Sequence, residues 1–179
     1  MANILTNPGV LALDTIDIIS LGAIYVRAFE FVPSAAGDLF VLSSYDFNAP
    51  LLRRAIASGT ITLGTTLTGA GTDLPSTFAA GDIFEILNSH TTALAANIGK
   101  KLITTAGNNT VVVCAQAGWT NEATKVYEVQ KFSQYVAYSL KSQATTLKGE
   151  GRNFGNPGIR FDNLALTTLT SGAKLYLYV

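Results

Sequence analysis

The sequence predicts an all-β fold, a jelly-roll-like β-sandwich with an extended N-terminal arm and at most one short helix. Three observations carry that prediction. Short β-branched and aromatic runs such as Ile24-Tyr25-Val26-Arg27-Ala28-Phe29-Glu30-Phe31-Val32 recur along the chain, separated by turns of Gly, Pro, Asn and Asp. The last stretch alternates, with Leu175, Leu177 and Val179 on one side and Lys174, Tyr176 and Tyr178 on the other. That two-residue period belongs to a half-buried strand. Finally, one turn-and-strand device is used twice: Ala35-Ala36-Gly37-Asp38-Leu39-Phe40 is echoed by Ala79-Ala80-Gly81-Asp82-Ile83-Phe84.

Taken in order, residues 1–14 mix Asn, Pro and Gly without a period and read as the arm, leaving 15–179 as one domain. The run Ile24 to Val32, the turn Pro33 to Asp38 and the run Leu39 to Leu42 read as a hairpin. Leu51 to Ala57 reads as a strand or a helical turn closed by Ser58-Gly59, Thr60 to Leu63 as a strand, and Gly64 to Ser76 as an exposed loop. Ile83 to Leu87 is the strand of the second device. Lys101 to Thr105 and Thr110 to Ala115 form two arms of a hairpin around Ala106-Gly107-Asn108-Asn109. Between Asn121 and Gln143 the spacing of Val126, Val129, Phe132, Val136 and Leu140 suits a helix, yet the local residue types favour strands, which is the reading adopted. Gly149 to Gly158, with four glycines and Pro157, reads as a loop.

Composition narrows the function classes. With 48% hydrophobic and 13% charged residues and a mean hydropathy of +0.31, the 179-residue chain is apolar for a protein wetted on all sides, so part of its surface is expected to be covered by a partner. Net charge is zero, which supplies no field for nucleic acid or an anionic membrane. The halves differ: residues 1–90 hold three basic and eight acidic side chains, residues 91–179 nine and four. Met1-Ala2-Asn3 lacks a basic leader and Asp14 and Asp17 interrupt the apolar run from Val10 to Val26, so neither a signal peptide nor a membrane span is expected, and synthesis is assigned to a cytoplasm.

Residues capable of chemistry are few. Any triad or Cys–His dyad must use His90, the single histidine, which stands in a polar stretch without a paired nucleophile motif. The single Cys114 reads as a buried small hydrophobe, and one His with one Cys cannot build the usual zinc sites. Gly149-Glu150-Gly151-Arg152-Asn153-Phe154-Gly155 lacks phosphate-loop spacing, and Gly99-Lys100-Lys101 lacks the earlier glycine of a P-loop. Asp38 and Asp82 would make a carboxylate pair if they met, but each follows a turn glycine, where an Asx-type hydrogen bond explains it. Asp14 with Asp17, or Asp46 with Asp73, would suit Ca²⁺ only on convergence. No catalytic, cofactor or metal residue is assigned. The partner-interface residues are Arg53 and Arg54, the one basic doublet of the first half, and Tyr176 and Tyr178, the aromatic face of the last strand.

Two stretches carry a resemblance. Tyr25 to Asp38, a strand followed by Pro-Ser-Ala-Ala, and Ile159 to Val179 resemble the opening and ending of small structural proteins of tailed bacteriophages, while 57–158 is unmatched. The resemblance implies a non-enzymatic virion component on the capsid surface. It implies a decoration or cement protein that binds the major capsid protein, self-associates as a trimer and holds capsomers together. The alternative is a tail, neck or head-fibre module binding another virion protein or a host glycan through loop aromatics such as Trp119 and Tyr138.

Overall fold

The computed structural model describes residues 4–7, 9–50, 52–69, 78–88, 94–108, 111–114, 119–142 and 149–179. In chain order the strands are β1 (Ile4–Asn7), β2 (Val10–Leu13), β3 (Asp17–Ile18), β4 (Ala23–Val26), β5 (Ala28–Val32) and β6 (Leu39–Ser44). Then come β7 (Leu52–Thr62), β8 (Thr66–Gly69), β9 (Ile83–Ile86), β10 (Gly99–Asn108), β11 (Val111–Cys114) and β12 (Glu122–Phe132). The chain closes with β13 (Tyr135–Lys141), β14 (Glu150–Asn153), β15 (Ile159–Asp162), β16 (Ala165–Leu169) and β17 (Lys174–Tyr178). A three-residue 3-10 turn, Ala95–Asn97, is the one helical element among the described residues, so the fold is all-β as expected.

The strands divide between two compact units, Met1–Tyr45 with Tyr135–Val179 and Asp46–Gln134, where the sequence reading had a single domain. The second unit is inserted between β6 and β13, which pair with each other from Tyr135↔Ser44 to Lys141↔Leu39. The first unit therefore holds both ends of the insertion on adjacent strands of one sheet.

The first unit is a sandwich. A sheet ordered β1-β2-β17-β5-β14 packs against one ordered β13-β6-β16-β3, with a β4–β15 ribbon beside them. Phe29, Phe31, Leu175 and Leu177 from the first sheet meet Phe40, Leu42 and Leu166 from the second, all nearly inaccessible to solvent. At about 1.5–3 kcal/mol per fully buried large apolar side chain, these layers dominate the unit's stability. The segment 1–14 is not a free arm: β1 pairs with β2, and β2 pairs with β17.

The predicted hairpin between Ile24–Val32 and Leu39–Leu42 is instead an arch. β5 pairs with β17 and β14, while β6 pairs with β13 and β16. The reason is that both strands bury one aromatic face, and the rings of Phe31 and Phe40 meet across the sandwich, tilted at 58° with centroids 5.0 Å apart. Side-by-side pairing would put these rings on the same surface of one sheet, without the opposite layer. Glu150–Asn153, read as loop, becomes a strand because β5 offers it an open edge.

The inserted unit is a closed antiparallel barrel, β10-β11-β8-β7-β12-β9, filled by Ile56, Ile61, Leu67, Phe84, Ile86, Ile103, Tyr127 and Val129. β7 runs unbroken through Ser58-Gly59, because Gly59 lies against the Tyr127 ring, where an added Cβ would come within 2.6 Å. β8 falls inside the stretch read as a loop, and the stretch 121–143 holds strands β12 and β13. The uneven charge of the two halves disappears: each unit contains six basic and six acidic side chains.

Because Ser44 and Tyr135 are paired neighbours, a protein in which 46–134 is replaced by an Asn-Gly turn is expected to fold. A β-type circular dichroism spectrum with one cooperative melt supports the insertion; a spectrum without a melting transition refutes it.

Candidate functional site

Strand β17 carries the site. Burial of Leu175 and Leu177 turns Lys174, Tyr176 and Tyr178 to the outer face of the five-stranded sheet. Register then fixes their neighbours: Tyr176 stands between Ala12 of β2 and Glu30 of β5, and Tyr178 between Val10 and Ala28. Beyond β5, Gly151 lies opposite Glu30 and Asn153 opposite Ala28. Small residues at 12, 28 and 151 keep the face flat around two aromatic rings.

At the β5–β14 end the face dips into a shallow, open depression of about 430 Å³ lined by Ala28, Phe29, Glu30, Gly149, Gly151, Arg152, Asn153 and Tyr178. The Tyr178 hydroxyl donates to Glu30 Oε2 at 3.4 Å, and the Arg152 guanidinium lies 5.8 Å from the Phe154 ring. An aromatic wall, a carboxylate and an amide beside Gly151 can take a polar loop or a hydroxylated ligand. The sequence pointed to Tyr178 by its alternation; Glu30, Ala28 and Asn153 follow only from strand register.

Arg53 and Arg54 belong to the other unit, on β7. Arg53 Nε donates to Glu128 Oε1 at 2.6 Å, and that carboxylate raises the guanidinium's pKa further. Register extends the pair into a row across four strands, Arg53–Gln130–Glu85–Lys100, with Lys100 Nζ 2.6 Å from Glu85 and 4.8 Å above the Phe47 ring. Arg54 is exposed opposite Val129. The four predicted interface residues thus form two separate pairs, one on each unit.

The two Asp turns repeat in structure as in sequence. Asp38 donates its N–H to the Ala35 carbonyl and Asp82 to that of Ala79, at 3.3 and 3.1 Å, with Gly37 and Gly81 at φ +85° and +89°. Asp38 Oδ2 accepts from the Ser34 N–H at 2.6 Å, the Ser34 hydroxyl at 2.7 Å and the Ala35 N–H at 2.8 Å. The Ser34 hydroxyl and the two amides hold the Asp38 carboxyl below its ordinary pKa, against the opposing effect of burial. Asp82 Oδ2 accepts from the Ala79 N–H at 3.0 Å and meets Lys131 Nζ at 2.8 Å in a buried ion pair. Both carboxylates are thus occupied by their own turns, in different units.

Other expectations resolve individually. Trp119 is buried in the barrel core, and Tyr138 is half-buried among Phe29, Phe40 and Phe154, so neither is an exposed loop aromatic. Asp46 and Asp17 cap the Asn48 and Ile18 N–H groups. Among the described residues no group of three His, Cys, Asp or Glu side chains is placed to hold a metal. His90 and Asp73 lie outside the described residues, as does the side chain of Cys114. No family model, curated protein or solved structure matches the chain.

Two outcomes follow from the Asp turns. Because the Asp38 carboxyl is depressed below 3.8, its stabilisation is complete above that value and lost as pH falls through the folded-state value. Thermal midpoints measured from pH 7 down to pH 2 should therefore drop more steeply below pH 3.8 for the native protein than for Asp38→Asn. Separately, Lys131→Met leaves the buried Asp82 carboxylate uncompensated and should cost about 3 kcal/mol in urea unfolding, on the scale of a broken buried pair.

Proposed function

We propose that this chain is a non-catalytic structural component of a tailed-bacteriophage virion, a decoration or cement protein that binds the outer capsid shell and reinforces capsomer contacts. The observation that carries the reading is where the two phage-like stretches go. Tyr25–Asp38 and Ile159–Val179 are 120 residues apart in sequence, yet both fall in the sandwich unit. There their strands β5 and β17 are direct neighbours, paired from Lys174↔Val32 to Tyr178↔Ala28. The unmatched 57–158 holds most of the inserted unit together with β13 and β14 of the sandwich. Both phage-like stretches therefore lie in the sandwich unit, on neighbouring strands.

The flat outer face built on that strand pair supplies a surface for the major capsid protein. Two tyrosines offer large apolar area at low entropic cost, and the small residues around them allow close approach. Low overall charge suits a surface meant to be covered. The functional location on this reading is the capsid exterior.

A second reading, attachment to a host glycan, draws on the depression beside Tyr178, whose carboxylate, amide and aromatic wall suit a sugar. The residues for it are Tyr178, Glu30 and Asn153, in place of Trp119 and Tyr138.

Shells of the parent virus stripped of this protein provide the test. The purified chain should co-sediment with them and raise their melting temperature, and Tyr176→Ala with Tyr178→Ala should weaken binding about tenfold or more, as loss of interface anchors does, without unfolding the free protein. Failure to co-sediment refutes the shell reading. A glycan-array signal abolished by Tyr178→Ala, with no shell binding, establishes the second reading.

A further inference from the structure

Two edges of the sandwich lie together. Among the described residues β13 and β14 are the outermost strands of their sheets, each hydrogen-bonded to a single strand. Ser142, just after β13, donates through Oγ to Glu150 of β14 at 2.8 Å, and the Tyr138 and Phe154 rings meet at 6.0 Å. The β13 side of the flank is free of charge from Tyr135 to Leu140, and Tyr135 and Val136 are 62% and 64% exposed, while the β14 side carries Glu150 and Arg152. A bulge between Val136 and Tyr138 makes β13 a poor template for pairing, which leaves it as an apolar contact surface beside β14.

We propose that this flank is a two-fold interface between two copies of the chain, with β14 pairing antiparallel to β14 of the second copy about Gly151. The first argument is backbone direction. The Phe154 N–H donates to the Arg27 carbonyl, toward β5, at 2.6 Å. Strand alternation then turns the Arg152 and Glu150 amides the same way and directs the N–H and C=O of Gly151 at the open edge. The second is charge complementarity. Glu150 and Arg152 share a face of β14, and in a two-fold antiparallel register centred on Gly151 each Glu150 stands opposite Arg152 of the partner subunit. Two opposite-charge pairs form at once, flanking a Gly–Gly pair that admits the closest backbone approach. The symmetry is two-fold, where the phage resemblance implies a trimer.

Sedimentation velocity over a concentration series tests this on the full chain. The native protein should show a reversible dimer of twice 18.9 kDa. Glu150→Arg and Arg152→Glu each place like charges across the axis and should raise the midpoint of dimerisation about tenfold. The double variant restores both pairs with their signs exchanged and should return the midpoint to near the native value. That rescue separates the proposal from simple damage by losing the Ser142–Glu150 hydrogen bond. A protein monomeric at all concentrations, a trimer, a dimer indifferent to the single reversals, or a double variant as weak as the singles each overturns it. None of these readouts involves the capsid shell.

Discussion

The carboxylate of Asp38 gathers the Ser34 amide, the Ser34 hydroxyl and the Ala35 amide at one oxygen, and that knot sets where β6 begins and so the register it offers β13 and β16. The same turn clasps a second strand end: the Gly37 N–H donates to the Ser142 carbonyl at 3.0 Å and the Ser142 N–H to the Asp38 carbonyl at 2.7 Å. The barrel repeats the clasp, with Gly81 N–H to the Ile103 carbonyl and Ile103 N–H to the Asp82 carbonyl, both at 2.9 Å. Each turn therefore fixes the first residue of a strand, Leu39 or Ile83, and so decides which side chains face inward. A slip by one residue would turn Phe40 and Leu42, or Phe84 and Ile86, toward solvent. The turn needs a residue at positive φ followed by a short carboxylate, which is why Gly-Asp appears at both places.

What the sequence made legible was the local pattern. Alternation in β17 gave both the buried set and the outward tyrosines, and local residue types favoured strands for β12 and β13 against the helical spacing. Pairing was legible where a tight turn joins the strands, as in the β10–β11 hairpin, and not across longer connections, because hydrophobic alternation says that a strand has an inner face without saying which strand lies beside it. Hence an arch was read as a hairpin, and the neighbours of Tyr178, namely Glu30, Ala28 and Asn153, became visible only through register. Composition misled where an edge could impose structure: the glycine-rich stretch of β14 is strand because β5 supplies the hydrogen bonds. Aromatic identity misled at Trp119, since an indole in a polar stretch can still close a barrel core.

The insertion explains why half-by-half charge was a poor guide. Cutting the chain at position 90 separates three basic residues from nine, but folding joins residues 1–45 with 135–179, and each unit then balances six against six. Within the barrel the balance is also local, as in the row Arg53–Gln130–Glu85–Lys100, where formal charges alternate around an amide. Ionic groups spent on neighbours inside the unit leave little long-range field. Recognition of a partner, on the proposed reading, would then rest on shape and apolar contact at short range.

A surface of that kind gains from repetition. A capsid shell presents one docking site many times, so a contact of modest strength becomes durable when two linked copies engage two sites together, provided the linkage spans the distance between them. On the proposed reading, the sheet face around Tyr176 and Tyr178 and the flank formed by β13 and β14 would divide these tasks, the face meeting the shell and the flank joining the copies. They share a single strand ladder, because β14 pairs with β5 and β5 with β17. Extending the ladder across a two-fold axis continues the docking face from one copy into the next, with the Glu30–Tyr178 depressions on either side of the join. A rigid pair of faces loses less orientational freedom on landing than two independent ones, so pairing at the edge would strengthen docking on the face without adding one contact to it.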